Sequence, residues 1–504
     1  MVVMFNNIPG NIRVPLFYAE FNPGGTPYQA IARLLLVGQM LPTGSAEPNM
    51  PILMRDGQED GYFGLNSMLA EMYRTARENA PFQEIWAAPL MDDAAGVAAT
   101  GALTLNGLDT ISQVSVMTIY IAGIRVRAVV LTSDTDESFA ATLAAEINIA
   151  PHMPVTAEVD GVNPKKILLT AIHKGTMGNE ISIDTDLLGD ENNLADTHLT
   201  IVAMANGQAD PDITLVFDAL GDDEFDWIAA PYSDPMTLGA VDDLLNDEAG
   251  RWSPIMQLYG HYITAVEANL AELSTLGLGL NNQHLCILGY YKSPTPPWIW
   301  AAATGGKAAM HLQSAPELSR PLQTLDLRNV HAPKIVDRFN IQERQVLYYD
   351  GIACYHVERD GTVSIDRLIT TYQLNEWGSP DATWLDVETL AQSMYGIRYL
   401  KQKVTNAHAR QALADANPFG LQGVTTADDV RSTVVHGYAE LIRLGVFENL
   451  DLFERDLIVE RDDVDANRIN IYMPLDHVNQ LRIIAVNATS FMQRRSAVES
   501  LISL

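Results

Sequence analysis

Two apolar runs constrain this chain most: "ARLLLVG" at residues 32–38 and "EIWAAPL" at 84–90. Neither alternates, so each reads as a strand covered on both faces. Between them the spacing predicts a helix over about 65–80, with Leu65, Met68, Leu69, Met72 and Ala76 on one face and Pro81 just past its end. Strand, helix and strand in that order point to a parallel sheet. "FDWIAAPY" (225–232) and "HLCILGYY" (284–291) have the same character. A second helix is expected over 256–276, where Tyr259, Ile263, Val266, Leu270 and Leu273 share a face and Gly277 closes the run.

The rhythm breaks from 95 to 205. There the chain alternates in short strands, "TISQVSVMTIYIAGIRVRAVVL" and "KKILLTAIHKGTMGNEISIDTDL", around one alanine-rich helix, "SFAATLAAEINIA". Because the parallel pattern resumes afterwards, this β-rich segment is an insertion. The α/β core is then discontinuous, with residues 25–94 and 206–375 on either side of a 95–205 module. Within 351–372, Asp360-Gly361 separates two alternating runs and predicts a hairpin. Residues 376–490 read as an α+β domain. Its helices are expected at 384–400, using Trp384, Val387, Leu390 and Met394, and at 426–444, using Val430, Val434, Tyr438 and Leu441. Three strand-like runs follow in "DLIVERDDVDANRINIYMPLDHVNQLRIIAVNATSFM".

Charge excludes a nucleic-acid role, since a net −31 over 504 residues leaves no basic footprint for phosphate. The acidity is concentrated, with about 25 acids against about 5 bases in residues 91–245, which suits an outward, solvated position. No membrane insertion is expected, because the longest apolar candidate, "ARLLLVGQML", is too short to span a bilayer. Cys286 and Cys354 sit in apolar runs and read as reduced core residues.

Motifs for chemistry are largely missing. "ATGGKAAM" (303–310) lacks the upstream glycine and the Ser or Thr after Lys307 that a phosphate loop needs, and reads as a helix-associated turn. "DTDLLGDENNLAD" (184–196) has Asp184, Asp186 and Gly189 in calcium-loop order, but Leu188 and Ala195 stand where ligands are required. The eleven histidines show no zinc spacing, and neither a Gly-x-Ser-x-Gly elbow nor a dinucleotide fingerprint occurs. No catalytic residue, metal or cofactor is proposed by the sequence.

The N-terminal stretch "NNIPGNIRVPLFYAEFN" (6–22) is apolar yet carries Pro15 and is bounded by Pro9-Gly10 and Pro23-Gly24-Gly25. Proline belongs at a strand edge. The ribbon either folds back on its own core as an edge strand or docks elsewhere.

"ERDDVDANRINIYMPLDHVNQLRIIAV" (460–486) resembles the C-terminal signature of contractile tail sheath proteins of Mu-like bacteriophages, through "NRINIYMP" followed by "VNQLRIIAV". "IPGNIRVPLFYAEFN", "TAIHKGTMGNEISID", "GDDEFDWIAAPYSDP", "GHYITAVEANLAELSTLGLGLNNQH" and "YYKSPTPPWIWAAA" resemble the same family in the same order. The resemblance implies an α/β fold with a discontinuous, parallel-sheet, subtilisin-like core, the inserted module, the C-terminal domain and two extended arms, 1–24 and 491–504. No Gly-Thr-Ser nucleophile context accompanies it, so architecture without proteolysis is implied. The implied role is structural: a subunit that polymerises around a tail tube and contracts to drive it through the host envelope. Implied partners are further copies stacked in rings of six, the tube protein, and the baseplate and tail terminator proteins. The implied location is the virion, after assembly in the host cytoplasm.

In such sheaths the arms add strands to neighbours' sheets. That assigns Ile12, Val14, Leu16 and Phe17 to the N-terminal arm's contact face, and Arg468, Ile469, Ile471, Tyr472, Gln480, Leu481 and Ile483 to the receiving C-terminal sheet. One arm alone is near break-even between ordering and burial, so linkage needs several neighbours at once. The competing reading is a hydrolase built on the α/β core that forms an ordinary oligomer.

Overall fold

A computed structural model describes residues 32–187 and 193–490. It opens on β1 (Arg33–Gln39), whose Leu34, Leu35, Leu36 and Val37 are all fully buried. After β2 (Ile52–Leu53) and α1 (Glu59–Phe63), the Ser67 hydroxyl accepts the Ala70 amide and caps α2 (Met68–Asn79). That helix buries Leu69, Met72, Tyr73 and Ala76. The chain then enters β3 (Glu84–Leu90), which pairs in parallel with β1 from Arg33↔Glu84 to Gln39↔Leu90.

The chain next leaves this sheet. Its path is β4 (Ala98–Leu105), β5 (Ser115–Ile121), β6 (Ile124–Val130), α3 (Asp136–Ile149), β7 (Val155–Val159), β8 (Lys166–Lys174), β9 (Ile183–Asp184), α4 (Ala195–His198) and β10 (Leu199–Ala205). These strands form two antiparallel sheets, β10-β4-β8-β7 and β6-β5-β9. A capping box between Thr135 and Ser138 starts α3, which buries Phe139, Ala140, Leu143 and Ile147.

Beyond α5 (Thr214–Ala219), β11 (Trp227–Ala229) returns to the first sheet and pairs with β1 on the side away from β3. Then come α6 (Pro235–Leu245), β12 (His261–Glu267), α7 (Leu270–Leu278) and β13 (Leu285–Tyr290). The strand order is β13-β12-β11-β1-β3-β2, parallel throughout except for β2. Alternation along the strands divides the core in two. Leu34, Leu36, Ile85, Trp227 and Ile263 belong to one cluster, and Leu35, Val37, Ile228, Tyr262 and Ile287 to the other.

Two sequence expectations are corrected here. The single helix over 256–276 is instead a strand, β12, followed by a shorter helix, α7. A strand buried on both faces satisfies helical spacing by accident, because every position from His261 to Ala265 is buried. Asn269 marks the true start of α7 through a capping box with Glu272. The "ATGGKAAM" segment is not a turn but the middle of α8 (Pro297–His311). A Cβ on Gly305 would lie 2.7 Å from the Ala229 Cβ, and one on Gly306 would lie 3.0 Å from the Ala76 carbonyl oxygen. The glycine pair therefore lets α8 press against β11 and α2.

After α9 (Ile341–Tyr349), β14 (Cys354–Val357) and β15 (Val363–Arg367) form an antiparallel hairpin, with Gly361 at φ 91°. The remaining elements are α10 (Val387–His408), the short parallel pair β16 (Ala412–Leu413) and β17 (Val424–Thr425), α11 (Ala427–Arg443), α12 (Leu450–Asp456), β18 (Ile458–Arg461) and β19 (Ile469–Tyr472). Both cysteines are buried and unpaired in disulfides. Among the described residues, no helix is long and apolar enough to cross a membrane.

Candidate functional site

The C-terminal hairpin rests on an aromatic stack. Thr426 and Asp429 form the capping box that starts α11, which buries Val430, Val434, Tyr438 and Leu441. Tyr438 lies flat on Phe453 at 3.6 Å between centroids and stacks on Phe447 at 5.3 Å. Its hydroxyl donates to the Glu448 carbonyl and accepts the Asp476 amide. The segment after β19 is thereby fixed to α11.

β18 and β19 form a two-stranded antiparallel sheet with Val459 opposite Ile471 and Glu460 opposite Asn470. Its turn is organised by Asp462, which accepts the amides of Val464 at 2.9 Å and Asp465 at 2.8 Å and the Asn470 side chain at 2.9 Å. The Asp465 amide leads the groups that hold this carboxyl down to about 2. The Asp462 amide donates to the Arg468 carbonyl at 2.9 Å, making 462 and 468 a hydrogen-bonded pair. Pairs alternate along an antiparallel ladder, so Glu460 with Asn470 is the next bonded pair. The amides of Ile469 and Ile471 therefore point away from β18, to an edge that no strand covers among the described residues.

The expected sheet residues divide into two groups. Ile469 and Ile471, with Met473 and Leu475, pack their side chains against the core, so the apolar face is the inner one. Tyr472 is 61% exposed, and Arg468 reaches the Asn470 side-chain oxygen at 2.7 Å. Gln480, Leu481 and Ile483 do not join this sheet. Of the three strand-like runs, two form strands, and the third continues as an unpaired extended segment. Among the described residues no strand pairs with it beyond the bridge of His477 to Phe447, and Leu481, Ile483, Ile484 and Val486 stand exposed. Ile12, Val14, Leu16 and Phe17 lie outside the described residues.

An anchor that sequence reasoning missed holds this last run. Gln392, fully buried on α10, donates to the Val478 carbonyl at 2.9 Å, and Ser393 meets His477 at 2.9 Å. Arg482 pairs with Glu388 at 2.8 Å and Asp386 at 3.0 Å, and Asp386 also takes a two-pronged contact from Arg367. Burial pushes the Glu388 carboxyl up, against the opposing pull of Arg482. The available signal was a lone arginine inside "QLRIIAV". The site holds carboxylates and guanidiniums paired within the chain, and a backbone edge that is open among the described residues.

Residues 206–371 match the phage tail sheath protein central domain, and residues 379–490 match the phage tail sheath C-terminal domain. The chain is 32% identical over 492 residues to the Mu-like prophage FluMu tail sheath protein of Haemophilus influenzae, covering 96% of this chain and 99% of that one. Similar solved structures include a sheath tail protein from Listeria innocua, at 12% identity, TM-score 0.48, and coverage of 90% and 93% of the two chains. Another is the anti-feeding prophage helical sheath in its contracted state, at 12% identity, TM-score 0.46, and coverage of 95% and 99%. With 96% of its length aligned to a sheath protein, the chain belongs to the phage tail sheath family and is a structural sheath subunit.

Proposed function

We propose that this subunit polymerises with further copies around a tail tube, in stacked rings of six, and that the sheath contracts to drive the tube through the host envelope. The observation that carries this reading is the edge of β19 that no strand covers among the described residues, to which the amides of Ile469 and Ile471 point. Residues 10–22, led by Ile12, Val14, Leu16 and Phe17, are the proposed donor from one neighbour. The exposed run through Leu481 and Ile483 is the second donor. The parallel sheet serves as a subtilisin-like scaffold without catalysis, and 95–205 is an outer module. The tube, baseplate and terminator proteins are the proposed partners, in a virion assembled in the host cytoplasm.

The test is Ile471→Pro beside Asn470→Ser. Proline at 471 removes a donor from the free edge, while the ladder to β18 keeps its own bonds. Circular dichroism and negative-stain microscopy should show folded, non-polymerising protein for Ile471→Pro and normal tubes for Asn470→Ser. Tubes of normal length from Ile471→Pro would reject the role of this edge.

A further inference from the structure

One buried histidine bolts the inserted module to the parallel-sheet core. His173, near the end of β8, is 7% exposed. Its Nε2 lies 3.0 Å from the amide of Met68, the first residue of α2, and its Nδ1 lies 3.0 Å from the Asp92 carboxylate. An amide can only donate, so Nε2 must be bare, and the single ring proton sits on Nδ1, donated to Asp92. Asp92 also accepts the Lys174 amide at 3.1 Å and the Gln39 side chain at 2.7 Å. Gln39 closes β1, Asp92 follows β3 and Met68 opens α2. His173 thus bonds two parts of the core directly and reaches the end of β1 through Asp92.

The joint borders a cleft of about 330 Å3 between α2, the module and the start of α8. The titratable and charged groups around it are Asp92, Glu71, Arg74 and Glu78 of α2, His152 before β7, and His331, besides the neighbouring Lys174. Glu71 is already engaged by Arg74 and by His152, the latter at 2.8 Å.

We propose that His173 is a pH-dependent latch: the neutral ring fastens the inserted module to α2 at Met68, and a second proton on Nε2 breaks that bond while the His152 contacts to Asn66 and Glu71 remain. Protonation places an N–H against the Met68 N–H, donor facing donor. The cation also stands at the positive end of the α2 dipole. Asp92 retains its bond from Nδ1, so the ring stays in place while its hold on α2 is lost. The proton comes from solvent through the cleft. The latch does not depend on the strand-exchange reading.

The experiment is hydrogen–deuterium exchange by mass spectrometry on the full chain, following residues 66–72 at pH about 7.5 and about 5, with rates corrected for the intrinsic pH effect. Protection of that peptide should fall about tenfold in the wild type on acidification. His173→Gln should be flat, because the glutamine oxygen accepts from Met68, its amide donates to Asp92, and neither titrates. Wild-type protection that holds at the lower pH, or an equal fall in His173→Gln, would overturn the proposal. If His173→Gln does not fold, Asp92→Asn replaces it. Losing the carboxylate that attracts the second proton must move the wild-type transition to lower pH, and an unmoved midpoint rejects the latch.

Discussion

Arg482, eight residues from the end of the described chain, reaches back to Glu388 at the second position of α10, with 2.8 Å between Nη2 and the carboxylate. Glu388 is fully buried, and its other oxygen accepts the Leu322 amide at 2.9 Å. The exposed C-terminal run is therefore tied to α10 at a fixed point.

Removing that cation should be costly. Arg482→Met strands a buried carboxylate and should destabilise the C-terminal domain by about 3–5 kcal/mol. Adding Glu388→Gln should recover part of the loss, because a neutral amide needs no counter-charge. Urea unfolding of the single and double variants, with proteolysis of residues 478–490, reads both effects.

Gly396 on α10 faces Phe447 so closely that a Cβ there would sit 2.4 Å from the ring. Gly396→Ala gains about 1 kcal/mol in helix propensity, but the overpacking should cost about 1–3 kcal/mol and displace the Phe447–Tyr438 stack. The expected result is a lower melting temperature, with increased exchange in α11.

Burial pushes the Glu267 carboxyl up to about 7, nearby Glu180 adds to this, and the bond from the Lys292 amide opposes it. The folded chain keeps this proton to higher pH than the unfolded chain does, so stability falls as pH rises from about 4.5 to about 7. Glu267→Gln should therefore exceed the wild type by about 1–2 kcal/mol at pH 8, with the gap closing toward pH 4.5. Chemical denaturation across that range checks the sign.

Deleting residues 1–22 should leave a folded, soluble subunit that no longer polymerises, since proline-glycine breaks separate this segment from the core. A cooperative melt close to that of the full chain, together with absence of tubes, is the expected pair of results. A melt lowered as if a core strand had been removed would favour the ribbon folding back on its own core.

Local signals carried far in the sequence. The runs at 32–38 and 84–90 became β1 and β3, and Asp360-Gly361 lies in the turn between β14 and β15. Thr426 and Asp429 marked the start of α11. What failed was periodicity inside doubly buried elements. Ile263 and Val266 mimicked a helix, and Gly305-Gly306 read as a helix-associated turn where they permit close packing inside α8. The candidate edge was half legible. The alternation of Ile469 and Ile471 exposed the inner face, but the clasp of Arg482 by Asp386 and Glu388 joins positions almost a hundred residues apart, and no spacing rule reports such a contact.

The central strand β1 has consequences for synthesis on the ribosome. Its partners β3 and β11 are separated by about 136 residues, which take roughly 7–27 s to translate. During that interval the nascent chain displays a half-sheet whose apolar edge has no neighbour. The intervening antiparallel strands find their partners locally and can finish folding while that edge waits. The vulnerable species in production is therefore the emerging half-sheet, and sequences that slow translation between β3 and β11 would prolong its exposure.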